Sequence, residues 1–162
     1  MIITSTKKLR QNRTDLLLSG MVGLEPELVP MMRKLIDLTG KLTYFYNDMD
    51  SDDLLDWLAT PLRLGQYVCI SQGQDIVAYT SWAYMNREAR ERWLAHKEVP
   101  KPEDWHSGDE IWGIDAMAID NRGVELSRLL RKTLRDLGHV GRYCNYTRRY
   151  HTGDFRITRV MI

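Results

Sequence analysis

The spacing of apolar positions changes twice along the chain. Over residues 27–38, Leu28, Met31, Met32, Leu35, Ile36 and Leu38 recur close to every 3.6 residues, which predicts an amphipathic helix with Gly40 as its stop. Asp50, Ser51, Asp52 and Asp53 then supply cap residues ahead of Leu54, Leu55, Trp57 and Leu58, so a second helix is expected as far as about Thr60, where Pro61 breaks it. From Gln66 the pattern turns to β-branched and aromatic residues. Residues 66–71 and 76–84 read as two strands, and Gln72-Gly73-Gln74-Asp75 between them reads as the turn of an antiparallel hairpin.

Asn86 is placed to cap a third helix that runs to about His96, followed by a polar loop with Pro100 and Pro102. Residues 110–119 form a largely apolar run interrupted by one charge, Asp115, and predict a buried strand. After Asp120-Asn121-Arg122-Gly123, the set Val124, Leu126, Leu129, Leu130, Leu134 and Leu137 marks a helix that Gly138 ends. Two strands over residues 141–150 and 155–162 follow, with a turn at Thr152-Gly153-Asp154. The first twenty or so residues mix Lys7, Lys8, Arg10 and Arg13 with Leu16 to Leu18 and suggest an arm or a short helix. Two helices followed by β-β-α-β-α-β-β suit an α+β fold, a mixed sheet with helices on its faces. At 162 residues a single domain is expected, with an N-terminal helical part over 1–62 and a sheet core over 63–162.

Composition narrows the classes. With 43% apolar and 28% charged residues, the chain lies well away from the disordered regime. Cys69 and Cys144 sit inside strand-like runs rather than in paired Cys motifs, which points to buried thiols in a reducing compartment and to neither a zinc site nor a disulfide framework. A stretch of ~18 apolar residues is lacking, as is a signal-peptide pattern at the N-terminus, so a cytoplasmic protein without a membrane span is expected.

The formal net charge of +1 hides an uneven distribution: residues 1–46 carry 7 basic and 4 acidic side chains, residues 47–118 carry 6 and 14, and residues 119–162 carry 10 and 4. A basic final quarter suits an acidic or phosphate-bearing partner, such as coenzyme A, an acyl carrier protein or nucleic acid; solvated faces paired with the acidic middle explain it as well. Arg128, Arg131, Lys132 and Arg135 share much of one helix side. Arg142, Arg148, Arg149, Arg156 and Arg159 alternate with Tyr143, Tyr146, Tyr150 and Phe155, a pattern that serves nucleic-acid binding or half-buried strands, with nucleic acid ranking behind. Asn121, Arg122 and Gly123 lie at a strand-to-helix turn, where backbone amides and the helix dipole could hold a phosphate of the donor; an ordinary helix start has the same form. Metal-ligand spacing, a Ser-His-Asp order and a Walker-type phosphate loop are absent from the sequence.

The middle of the chain carries a far more specific pattern. Gln66-Tyr67-Val68, Val77-Ala78-Tyr79 and Ser81-Trp82-Ala83 are followed by Asp104-Trp105, Ser107-Gly108-Asp109, Trp112 and Ile114-Asp115. In order and spacing this resembles the RTX-toxin-activating lysine acyltransferases, whose signature Asp-Trp-x-Ser-Gly-Asp-x-x-Trp-x-Ile-Asp is complete from Asp104 to Asp115. The resemblance implies a GNAT-like fold and a soluble enzyme that moves an acyl group from acyl carrier protein, or from coenzyme A, to a lysine of a protein acceptor, without a metal. It also implies a catalytic pair, a histidine in the N-terminal helical region and the aspartate that closes the signature. Asp115 holds the aspartate's position, and a carboxylate on a buried strand can orient a base or take the proton a lysine loses.

This chain has Tyr46 or Asn47 where the histidine is expected, and its first histidine is His96. The family's Pro-Phe-Gly continuation is replaced by Ala118-Ile119-Asp120. Tyr46 is the candidate to take over as acid or hydrogen-bond donor. The alternatives are loss of the amine's proton to water or to Asp115, and survival of the fold as a protein-binding module. A homodimer is a further open arrangement.

Overall fold

A computed structural model describes residues 23–42, 49–95, 100–149 and 155–162, and the side chains of Arg148, Arg149 and Phe155 lie outside that description. Among the described residues the order is α1 (Val29–Lys41), α2 (Ser51–Leu64), β1 (Tyr67–Gln72), β2 (Asp75–Met85), α3 (Arg87–Ala95), β3 (Glu110–Ala118), α4 (Gly123–Asp136), β4 (Tyr143–Arg149) and β5 (Phe155–Met161). Single 3₁₀ turns at Pro26–Leu28 and Pro102–Trp105 precede α1 and β3. The five strands form one sheet in sequence order, antiparallel except that β3 and β4 run parallel.

The element order matches the sequence pattern, with two differences that have physical causes. Gly40 does not stop α1, which runs on to Lys41. A stopping glycine needs a left-handed backbone, and Gly40 is not among the glycines of positive φ. Pro61 lies inside α2, which continues to Leu64. The proline falls in the last turn, and its own carbonyl is used to close the helix: Gly65 N–H bonds the Leu62 carbonyl at 3.3 Å and Gln66 N–H bonds the Pro61 carbonyl at 2.9 Å. Gly65, at φ 65°, is the true stop. The predicted caps are in place, with Asp50 Oδ1 accepting from Asp52 N–H at 2.9 Å and Asn86 Oδ1 accepting from Ala89 N–H at 2.8 Å.

Each face of the sheet has its own cover. On one, Ile76, Tyr79, Ala83 and Met85 of β2 and Trp112 and Met117 of β3 pack against α1, α2 and α3. On the other, Trp82, Ile111, Cys144 and Ile162 pack against Leu130 and Leu134 of α4. Burial holds both thiols protonated; it pushes Cys144 up to about 11 and raises Cys69 as well.

The loop from α3 to β3 is fastened to the end of β2. The Tyr84 carbonyl accepts from Ser107 N–H at 2.8 Å and from Gly108 N–H at 3.0 Å. The Ser107 hydroxyl accepts from Asn86 N–H and donates to the Asp104 carbonyl, each at 3.0 Å. Asp104, itself buried, receives Arg92 at 2.5 Å and Lys101 N–H at 3.1 Å. Gln66 ties the same loop to β2 by donating to the carbonyls of Trp82 at 2.8 Å and Trp105 at 3.0 Å. Gly108 passes so close to β2 that a Cβ there would stand 2.4 Å from Asn86 N and 2.6 Å from the Met85 carbonyl carbon. These are backbone atoms that cannot swing aside, so Gly108→Ala is expected to lower the unfolding free energy by roughly 1–3 kcal/mol in urea titrations, the usual cost of overpacking.

Candidate active site

Asp115 belongs to β3, and a local fault in the β2–β3 ladder decides where it points. Trp82 pairs with Gly113 and Ser81 pairs with Asp115, so Ile114 is an extra residue with no partner on β2. A regular strand would put Trp112 and Ile114 on one face and Asp115 on the other. The bulge shifts the alternation by one, so that Trp112, Asp115 and Met117 share the face covered by α2.

There the carboxylate is 4% exposed and well bonded. Oδ2 accepts from the Trp57 indole Nε1 of α2 at 2.6 Å and from the Ser81 hydroxyl of β2 at 3.1 Å. The Thr80 hydroxyl donates to the Asp115 carbonyl at 2.5 Å. Trp57 is held from behind by Trp93 of α3, the ring centroids 5.5 Å apart. Tyr79, two residues before Ser81 on the same face, stacks on Tyr67 at 5.9 Å. Burial, and then the negative charge of Asp115, hold the Tyr79 phenol well above its ordinary range, which keeps it protonated; the Ser81 hydroxyl offsets this in part without meeting hydrogen-bond geometry.

The sheet parts at the same place. The parallel ladder joins Ile111 to Cys144, Trp112 to Asn145 and Gly113 to Tyr146 and ends there among the described residues, while β3 runs on to Ala118 and β4 to Arg149. Asp115 therefore lies two residues past the last position of β3 paired with β4 among the described residues.

The other residues singled out in the sequence divide. Asn121, Arg122 and Gly123 do form the β3–α4 turn, with Asp120 and Asn121 both left-handed at φ 55° and 59°. The Arg122 guanidinium is tied to Glu125 at 2.7 Å, and a Cβ at Gly123 would meet nothing, so glycine is not demanded by space there. Tyr46 lies outside the described residues. Trp82, Trp105 and Trp112 are core residues. Among the arginines of the last two strands, Arg159 donates to Asn145 at 3.1 Å and stands over the Tyr143 ring at 5.9 Å. Trp57 and Ser81 were not singled out as candidate site residues: the helical period marks Trp57 as one more core position, and Ser81 enters only as part of the Ser81-Trp82-Ala83 segment of the resemblance. Among the described residues, no group of three or more His, Cys, Asp or Glu is placed to hold a metal, and no helix is long and apolar enough to cross a membrane.

A mixed sheet that parts beside a buried, donor-bonded carboxylate, with helices on both faces, is an α+β architecture consistent with a GNAT-like fold. The profile of the RTX toxin acyltransferase family matches residues 43–152, and the chain belongs to that family. It is 35% identical over 71 residues to the protein-lysine myristoyltransferase RtxC of Kingella kingae, a match covering 44% of this chain and 42% of the relative. It is 35% identical over 75 residues to the protein-lysine myristoyltransferase HlyC of Escherichia coli, covering 46% and 43%. It is 32% identical over 74 residues to the protein-lysine palmitoyltransferase CyaC of Bordetella bronchiseptica, covering 46% and 39%. The matched stretch thus spans less than half the length of each of these relatives.

A second polar cluster closes the far end of β2. Arg142 donates to His139 Nδ1 at 3.0 Å, so the neutral ring carries its proton on Nε2 and donates to the Tyr84 hydroxyl at 2.8 Å. Arg142 also bonds the Asp109 carbonyl, which joins the α4–β4 connection to the start of β3. Burial, then the Arg142 charge, depress the His139 pKa below its ordinary value. A depressed folded-state pKa means the unfolded chain takes up the proton first, so this stability is full above about pH 6.5 and is lost as pH falls through the folded value. Melting temperatures measured from pH 7.5 down to 5 are expected to fall more for the native protein than for His139→Gln.

Proposed function

We propose that this protein moves an acyl group from a thioester, carried by acyl carrier protein or by coenzyme A, to the side-chain amine of a lysine on a protein acceptor. The observation that carries this reading is Asp115, a buried carboxylate fixed by Trp57 and Ser81 where β3 leaves β4. Family membership and the names of the protein-lysine acyltransferase relatives support the amine as acceptor.

In this reaction the lysine arrives as the free amine and its nitrogen attacks the thioester carbonyl. The C–N bond forms and the proton shed by nitrogen passes to Asp115. The C–S bond then breaks, and the sulfur departs and takes up a proton as the thiol. The donor's thioester-bearing arm would run between β3 and β4 where their described ladder ends, and the Asn121–Arg122–Gly123 turn would receive the donor's phosphate at the start of α4. Tyr46 is our candidate for the acid or donor role that a histidine fills in the family resemblance. Partner sites for a second copy or for nucleic acid gain no support from the described surface.

The absence of a histidine before His96 favours one rival, a relative that binds a protein partner without catalysing transfer. Labelled acyl carrier protein and acyl coenzyme A, offered with cell extract, separate the two. Mass spectrometry is expected to show acyl-lysine formed by the native protein, with a loss of at least about 10²-fold in Asp115→Ala, the usual worth of a general base. No modification with either donor would leave the binding module.

A further inference from the structure

Given the acyl-transfer reading, on which this rests, we infer that the uncovered face of the β4–β5 pair receives the acceptor protein, and that the segment carrying its lysine is acidic with apolar neighbours.

The helices cover the sheet unequally. Cys144 and Tyr146 of β4 pack toward α4, so Tyr143, Asn145 and Thr147 point to the other face, beside their β5 partners Met161, Arg159 and Ile157. On that face α1, α2 and α3 pack over β2 and β3. Over β4 and β5, Tyr143 is left 48% exposed, Ile157 44% and Met161 55%. Single exposed apolar residues are ordinary, whereas a group of large ones on one strand pair marks a contact surface.

The charge of this hairpin is one-sided. Residues 141–149 and 155–162 hold Arg142, Arg148, Arg149, Arg156 and Arg159 and no Asp or Glu. Arg159 stands among the exposed apolar residues, bonded to the neutral amide of Asn145 and placed over the Tyr143 ring. A cation set between apolar side chains is complementary to a carboxylate with apolar flanks.

Position selects the acceptor rather than the donor. Asn145 pairs with Trp112, and Asp115 follows on that same face of β3, so the uncovered surface adjoins the carboxylate that takes the amine's proton. The donor's phosphate, in the reading above, sits at the start of α4, the helix of the opposite face.

Synthetic peptides test this: a lysine set among leucine and glutamate, the same peptide with glutamine for glutamate, and the same with arginine. By fluorescence anisotropy at low salt the native protein is expected to bind the glutamate peptide about fivefold more tightly than the glutamine peptide, the upper worth of an exposed ion pair, with the difference shrinking as salt is raised. Arg159→Gln should abolish that preference and Arg159→Glu should turn it toward the arginine peptide, with the KM for the acyl donor unmoved. Equal binding of the glutamate and glutamine peptides by the native protein overturns the inference. So does an Arg159→Glu variant that loses affinity for acyl carrier protein and keeps the peptide preference, or a native dimer that this variant dissociates. A glutamate preference abolished by Arg159→Gln, in a protein that transfers no acyl group, upholds the docking surface and defeats the acyl-transfer reading alone; transfer with no preference among the peptides does the reverse.

Discussion

A carboxylate taken out of water must be met by donors, and the interior around Asp115 is arranged to meet it. The bond from Trp57 crosses from α2 to the middle of the sheet, and the bond from Ser81 crosses between neighbouring strands, so one oxygen gathers two layers of the fold. Neither bond would exist without the extra residue at Ile114, because a regular β3 would turn the carboxylate to the α4 face, among Trp82, Ile111 and Cys144. The charge is thus bound to a fault in the ladder, and the fault falls beside the point where the parallel pair β3–β4 separates. Bulges that re-aim a side chain next to a site are a recurrent device of sheets.

Much of the architecture was legible because local signals and burial agree. The turn between β1 and β2, the caps at Asp50 and Asn86, and the amphipathic period of α4 each follow from residue chemistry within a few positions. Gly40 and Pro61 were misread for a common reason. Both are breakers by composition, but a breaker acts through backbone geometry, and neither position adopts the geometry that ends a helix.

Less of the site was legible. Asp115 was found through the family signature and through the oddity of a charge in an apolar run, yet period-two reasoning alone gives no way to say which face it takes. Trp57 illustrates the deeper difficulty. It satisfies the helical pattern as a core residue, and it is one; that its N–H also reaches a carboxylate 58 positions away depends on how α2 lies across the sheet. Long-range polar pairs are set by packing, which a single sequence does not display.

The signature from Asp104 to Asp115 can be weighed residue by residue. Asp104 and Ser107 bond the loop, Trp105 and Trp112 fill the core, Gly108 allows the backbone to pass Asn86, and Ile114 makes the bulge. Asp109 lends its carbonyl to Arg142, and the closing aspartate is held by donors beside the end of the β3–β4 ladder. A descendant that had given up its reaction would therefore still keep almost all of this motif simply to stay folded, and its possession certifies a scaffold far more strongly than it certifies turnover.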